Sequence, residues 1–260
     1  MANQEEVRDV YGYFEQNGNA LCYRYEAERV RIEPWGENSL RVRAWKTADM
    51  DPADWALLPP EKNTIPEITV RENGATIRNG KICAEINLIG KVSFYNEKGD
   101  LLLEEYVRNR KDMFGNTCSS LEVEAREFKP ITGGDYRLSM RFVSTSGEKI
   151  YGMGQYQQPY LDIKGADLEL AHRNSQASVP FMLSSLGYGF LWNNPAVGRV
   201  NFGKNITTWE AYSTKKLDYW ITAGDTPAQI EEAYADATGK VPMMPEYAMG
   251  FWQCKLRYMT

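Results

Sequence analysis

The chain has 260 residues, 43% hydrophobic and 25% charged, an ordinary balance for a globular protein with one large or two ordinary domains. Its 30 Lys and Arg against 35 Asp and Glu leave a net charge of −5 with no long basic run, so nucleic acid and anionic membrane are poor partners. Four scattered cysteines, Cys22, Cys83, Cys118 and Cys254, form no CxxC pair, which argues against a zinc site and does not resemble a disulfide framework.

The N-terminus, Met1-Ala-Asn-Gln-Glu-Glu-Val-Arg8, lacks the basic and apolar regions of a signal peptide. No apolar run approaches the roughly 20 residues a membrane helix needs. A cytoplasmic, reduced protein is the expectation, and there the sequon Asn205-Ile-Thr207 carries no meaning. From about Leu21 to Lys46, apolar and charged residues alternate in three strand-like runs, with a turn at Trp35-Gly-Glu-Asn38. Residues 49 to 66 carry Pro52, Pro59, Pro60 and Pro66 and read as a long surface loop. Hairpins follow: one with Asn79-Gly80 at its tip, another turning between Glu97 and Asp100. Tyr136 to Val143 alternates strictly. The first 150 residues thus predict short antiparallel strands without a helix, a β-sandwich, continued through strands near 179–185, 188–193, 199–202 and 216–222.

Between them lies a long polar and aromatic stretch, Tyr156 to Val179, of the kind that is either functional or disordered; its flanking strands favour an ordered excursion. One helix is expected. Thr226 or Asp225 caps it, Pro227 opens it, Ile230, Tyr234 and Ala237 form its apolar stripe, and Gly239 closes it. After Pro242 and Pro245, the mostly apolar run Ala248-Met-Gly-Phe-Trp-Gln-Cys254 reads as a buried strand leading to a helix start at Thr260, the opening of a βα unit whose remainder lies outside these 260 residues.

Five stretches carry a resemblance. They are Trp35-Gly-Glu-Asn-Ser-Leu-Arg-Val-Arg43, Tyr151-Gly-Met-Gly-Gln155, Ser178-Val-Pro-Phe-Met-Leu-Ser-Ser-Leu-Gly-Tyr-Gly-Phe-Leu-Trp-Asn193, Leu217-Asp-Tyr-Trp-Ile-Thr-Ala-Gly-Asp225 and Pro245-Glu-Tyr-Ala-Met-Gly-Phe-Trp-Gln-Cys-Lys-Leu-Arg-Tyr258. Each is weak alone; in this order, over about the whole chain, they resemble glycoside hydrolase family 31, in its α-xylosidase/α-glucosidase branch. The resemblance implies a mainly β fold: a galactose mutarotase-like antiparallel sandwich over residues 1–225, a helix and linker over 226–247, and the first strand of a truncated (β/α)8 barrel over 248–260. It also implies a retaining α-glycosidase acting on an α-linked sugar or oligosaccharide, with terminal α-xylosyl or α-glucosyl residues as substrate.

A retaining glycosidase uses two carboxylates about 5–5.5 Å apart, one a nucleophile and one an acid/base. In the resembled family both are aspartates on later barrel strands, so no catalytic residue is assigned here and the chain alone is expected to be inactive. What the resemblance leaves to this part is a loop, Gln155 to Ser178, that helps shape the sugar pocket. His172, Arg173 and Asn174 are its candidate substrate contacts, with Trp252 on the first barrel strand as a fourth. Arg173 and Asn174 offer the donors and acceptor that sugar hydroxyls need, although hydrogen bonding within the loop accounts equally for their presence. Gly152, Gly154 and Gln155 are read as shaping the strand-to-loop turn. No metal or other cofactor is expected, and an apolar terminal strand favours self-association into homo-oligomers. Two other readings stay open: a self-contained carbohydrate-binding or interaction module, and, less well supplied with its single histidine, a sugar mutarotase.

Overall fold

The computed structural model describes residues 12–46, 49–60, 64–108 and 120–252. Their architecture is the mainly β, antiparallel one expected. The largest sheet has the order β1-β2-β3-β4-β18-β15-β14-β12: Tyr13–Asn17, Ala20–Tyr25, Glu28–Pro34, Ser39–Trp45, Leu217–Ala223, Tyr188–Trp192, Ala177–Ser184 and Ile150–Gln155. Opposite it stand two five-stranded sheets. One is β10-β11-β17-β16-β13, comprising Arg126–Pro130, Tyr136–Val143, Ile206–Thr214, Gly198–Phe202 and Asp167–Leu170. The other is β5-β6-β7-β8-β9, comprising Glu67–Arg71, Gly74–Asn79, Ile82–Asn87, Val92–Asn96 and Leu101–Glu104. A bridge between Glu105 and Phe142 ties the two smaller sheets together.

Period-two alternation decides which side chains enter the core. Leu40, Val42 and Ala44 of β4 and Leu217, Tyr219 and Ile221 of β18 point inward, meeting Leu138, Met140 and Phe142 of β11, Trp209 of β17, and Ile77 and Phe94 from the remaining sheet. Phe190 sits among aromatic rings, with centroids 5.0 Å from Tyr219, 5.1 Å from Trp209 and 5.5 Å from Phe142. Arg126 joins all the layers at one end. It pairs with buried Glu105, donates from Nε to Glu28 Oε1 at 2.9 Å, and reaches Gly90 O at 2.8 Å.

The outer face of β18 and of the first half of β4 is buried as well, and residues 49–60 are part of the reason. As the sequence suggests, this stretch is a loop on the surface, and it serves as a strap over the sheet. Outward-facing Arg41 is fully buried, and it binds Asp218 on β18 and Asp54 on the strap. Lys216 Nζ holds Asp51 O at 2.8 Å and also Ala53 O, Asn193 Oδ1 accepts from Ala56 N at 3.2 Å, and Leu58 N donates to Ala237 O at 2.8 Å. Leu57 then packs with Trp220, Leu191 and the helix α1, Pro227–Thr238. That helix is as expected: Thr226 Oγ1 accepts from Gln229 N at the N-cap, Ile230 and Ala237 are buried, and Tyr234 stacks on Phe181 at 3.9 Å.

One expectation shifts. Asn79 belongs to the strand, paired with Ile82, so the hairpin loop is Gly80-Lys81 with Gly80 at φ +56°. The cause is the buried Asn79 side chain, whose Nδ2 donates to Gly36 O at 2.8 Å and Ser39 O at 2.7 Å. Of the expected barrel strand, only Ala248 to Trp252 lies among the described residues, and these form no strand. Glu246–Met249 is a turn of 3-10 helix. Residues 253–260, with Gln253, Cys254, Lys255 and Thr260, lie outside the described residues, as does Cys118.

Candidate sugar-contacting loop

The expected loop departs from β12, the last strand of the large sheet, through an irregularity. Gly152, Met153 and Gly154 have φ of +100°, +70° and +86°, and the pairing with β14 shifts register between Gly152 and Gly154. A Cβ on Gly154 would lie 2.3 Å from Ala177 O, so only glycine permits this approach. The glycines shape the turn, as the sequence suggested. Of the three positive φ values at the mouth of the loop, only that of Met153 is costly, and its fully buried side chain holds it there.

The excursion after it is ordered. Ile163 N donates to Ile150 O at 2.8 Å, Asp162 Oδ1 accepts from Ile150 N at 3.1 Å, and Gly165 N reaches Phe202 O at 2.7 Å. Lys164 Nζ reaches Glu148 Oε2 at 2.6 Å, and the same buried carboxylate accepts from Ser184 Oγ at 2.6 Å and Tyr188 Oη at 2.7 Å. Sequence reasoning missed Glu148 as the hub, for its partners lie 16 to 40 positions away and Gly147-Glu148-Lys149 looks like a solvated turn. Tyr156 closes the base: its hydroxyl meets Glu169 O at 2.9 Å and Ser178 Oγ at 2.8 Å, and burial pushes its pKa up, keeping it a neutral hydrogen-bonding group.

The chain then runs along β13 and turns back into β14 as a tight hairpin. Arg173 N donates to Gln176 O at 3.1 Å and Gln176 N to Arg173 O at 3.2 Å, leaving Asn174 and Ser175 at the tip. Gln176 Nε2 stiffens it by donating to Ala171 O at 2.8 Å. His172 Nδ1 accepts from Ser178 N at 3.3 Å, which leaves its Nε2 facing away from that bond. Arg173 pairs with Glu169 yet stays 63% exposed. Asn174 is exposed, and its amide has no partner among the described residues. The structure thus brings His172, Arg173 and Asn174 together on one rigid, exposed tip that presents donors and an acceptor to hydroxyl-bearing molecules. It does not bring Trp252 to them. That indole is 72% exposed, donates to Ala248 O at 2.7 Å, and among the described residues has no hydrogen bond or ring contact with the tip. No group of three or more His, Cys, Asp and Glu able to hold a metal ion exists among the described residues. No helix among them is long and apolar enough to cross a membrane.

Comparison with known proteins fits this fold. Residues 29–201 match the family described as the glycosyl hydrolase 31 N-terminal galactose mutarotase-like domain. The chain is 52% identical over 253 residues to an uncharacterized family 31 glucosidase, ORF2, of Pseudescherichia vulneris, covering 94% of this chain and 48% of that protein. It is 30% identical over 279 residues to alpha-xylosidase A of Aspergillus niger, covering 95% and 35%. Among solved structures, a GH31 alpha-xylosidase from a soil metagenome, complexed with xylose, superposes with a TM-score of 0.89 at 55% identity, over 95% of this chain and 37% of that one. The chain spans about half the length of these relatives or less. The match over residues 29–201 is more than half of the sequence, and the chain belongs to the glycosyl hydrolase 31 N-terminal galactose mutarotase-like domain family.

Proposed function

We propose that this chain is the N-terminal part of a retaining α-glycosidase that removes terminal α-xylosyl or α-glucosyl residues, in a reducing, cytoplasmic setting. The observation that carries the proposal is the likeness, over 95% of the chain, to an alpha-xylosidase held with xylose. In this reading the sandwich braces a barrel and lends its 172–174 tip to the sugar pocket. The two carboxylates of the double displacement come from the barrel, so the tip contributes binding and orientation only.

The tip suits that task because its backbone is held before any sugar arrives. The bulge at Gly152–Gly154, the Tyr156 hydroxyl and the Glu148 hub fix its approach, and little ordering entropy is left to lose on binding. A hydroxyl hydrogen-bonded to Asn174 would gain about 0.5–1.5 kcal/mol, and one bonded to Arg173 about 1.5–3 kcal/mol. The test is hydrolysis of p-nitrophenyl α-xyloside and α-glucoside by an enzyme carrying this chain ahead of its barrel. Arg173→Ala should lower kcat/KM about 10- to 100-fold with little change in Tm. Unchanged kcat/KM in both Arg173→Ala and Asn174→Ala would move the tip from the pocket to the scaffold.

A further inference from the structure

We infer that Tyr156 is a positioning residue for sugar binding: through Ser178 it seats the His172 ring with its Nε2–H held out as a donor to a sugar oxygen. That role rests on the reading of the 172–174 tip as part of the sugar pocket, and it gives the tip a donor of fixed direction. The protons can be counted. Glu169 O is a carbonyl and can only accept, so the single Tyr156 hydroxyl proton goes to it at 2.9 Å. Ser178 Oγ, 2.8 Å from Tyr156 Oη, is therefore the donor in that contact. Ser178 N in turn donates to His172 Nδ1 at 3.3 Å, so Nδ1 carries no proton. A neutral imidazole holds one, and it is on Nε2.

The same contacts account for the place of the ring. Strand β14 pairs with β15 only from Phe181 onward, so Ser178 has no partner on β15, and His172 takes its N–H instead. Tyr156 reaches both arms of the excursion at once: Glu169 on β13, before the tip, and Ser178 on β14, after it. Gln176 Nε2 adds a second donor to Glu169 O at 3.2 Å, while the Glu169 carboxylate holds Arg173. Hydrogen bonding within the loop thus uses Nδ1 of His172 and leaves Nε2, on an exposed ring, without a partner among the described residues. A proton on Nδ1 would have turned an acceptor outward. With Ser178 donating, the ring turns a donor outward, which suits a hydroxyl or ring oxygen. Arg173 beside it is donor-only as well, and of the three side chains Asn174 alone can accept. The tip therefore asks a sugar for acceptor oxygens at two positions and allows a donor at one.

The chain has one histidine, so its imidazole can be read by NMR without overlap on the isotopically labelled 260-residue protein, independently of any glycosidase activity. The spectrum should show the proton on Nε2 and a coupling across the hydrogen bond between the Ser178 amide nitrogen and Nδ1. Tyr156→Phe keeps the ring and removes the hydroxyl, and it should weaken that coupling while the amide spectrum of the sheets stays unchanged. A proton on Nδ1, or a coupling that Tyr156→Phe leaves unaltered, overturns the inference whatever the tip does with sugar. The second measurement uses an enzyme carrying this chain ahead of its barrel, with p-nitrophenyl α-xyloside and α-glucoside as substrates. His172→Ala removes one neutral hydrogen bond and should lower kcat/KM about 2- to 10-fold. Tyr156→Phe should lower it by no more than that, and should add little on the His172→Ala background, because it acts through that ring. Fully additive losses in the double variant overturn the role of Tyr156. A silent His172→Ala beside a costly Arg173→Ala overturns the inference and leaves the pocket reading standing, whereas silence of the alanine variants at 172, 173 and 174 together removes both.

Discussion

Replacing Arg41 by methionine tests whether a buried ion pair holds the strap to the sheet. The Arg41 side chain is 0% exposed; it donates to Asp218 at 2.9 and 2.5 Å and to Asp54 at 3.0 and 2.7 Å, and lies 4.4 Å over the Trp35 ring. Methionine keeps most of the volume, so the cavity term is small and the main loss is electrostatic. Asp218 is 1% exposed and would keep Asn193 Nδ2 at 3.0 Å and the more distant charges of Lys216 and Arg43. Stranding one member of a buried pair costs about 3–5 kcal/mol. Asp54 is 43% exposed, so Asp54→Ala breaks a wetter contact and should cost about 1 kcal/mol. At about 2–4 °C per kcal/mol for a domain of this size, Arg41→Met should lower Tm by about 6–20 °C. The double variant Arg41→Met with Asp218→Asn should recover part of the loss, because the stranded charge is gone. Urea unfolding followed by tryptophan fluorescence measures all of these. An Arg41→Met chain within about 1 kcal/mol of the parent, or no worse than Asp54→Ala, would refute the reasoning.

Gly154→Ala forces a Cβ to within 2.3 Å of Ala177 O at φ +86°, and should cost at least about 1–3 kcal/mol of stability; an unchanged Tm would mean that the bulge re-forms around it. Burial acts to raise the pKa of Asp54, but hydrogen bonds and charge from Arg41 outweigh it; burial likewise opposes, and Arg141 and Lys129 overcome, at Glu127, so both carboxyls titrate below their usual range. Their stabilisation is complete above the unfolded-state values near 4 and fades as pH falls through the lower folded values, so the urea midpoint should drop below about pH 4, less steeply in Asp54→Asn; equal slopes would count against the Arg41–Asp54 contact. Phe251 and Trp252 are 92% and 72% exposed, beside exposed Met243 and Met249, and serine at both positions should reduce self-association in sedimentation velocity; an unaltered distribution would clear this segment.

Elements whose inward residues alternate with polar ones were legible in the sequence because alternation is local. β4 and β11 follow period two, and α1 carries its cap, its first-turn proline and its stripe within about four turns. β17 escaped notice because its inward residues, Thr207, Trp209 and Ala211, alternate with other polar or small ones that blur the pattern, although Trp209 is fully buried. The Asn-Gly hairpin slipped by one residue because the Asn79 amide is satisfied by the 36–39 turn, a partner about 40 positions away. The strap was legible as a surface loop from its prolines, but not as a clamp, because its anchors Asn193 and Lys216 lie 137 to 165 positions away. The same split runs through the candidate site. His172, Arg173 and Asn174 were reached through the family resemblance, whereas Glu148, which secures the approach to them, is visible only once Lys164, Ser184 and Tyr188 converge on it.

The outer face of the large sheet sets one physical problem and meets it in two ways. Outward-facing arginines on a sheet must be hydrated or answered by anions, because a guanidinium loses its solvation as soon as anything covers it. On β4 and β18 the chain supplies its own anions: the strap brings Asp54 onto Arg41, Asp218 sits beside it, and the face can then close over Leu57, Trp220 and Ile230. Across β3 and β4 the Glu33 carboxylate, on the sheet itself, answers Arg31 together with Arg43, and both guanidiniums keep part of their side chains in solvent.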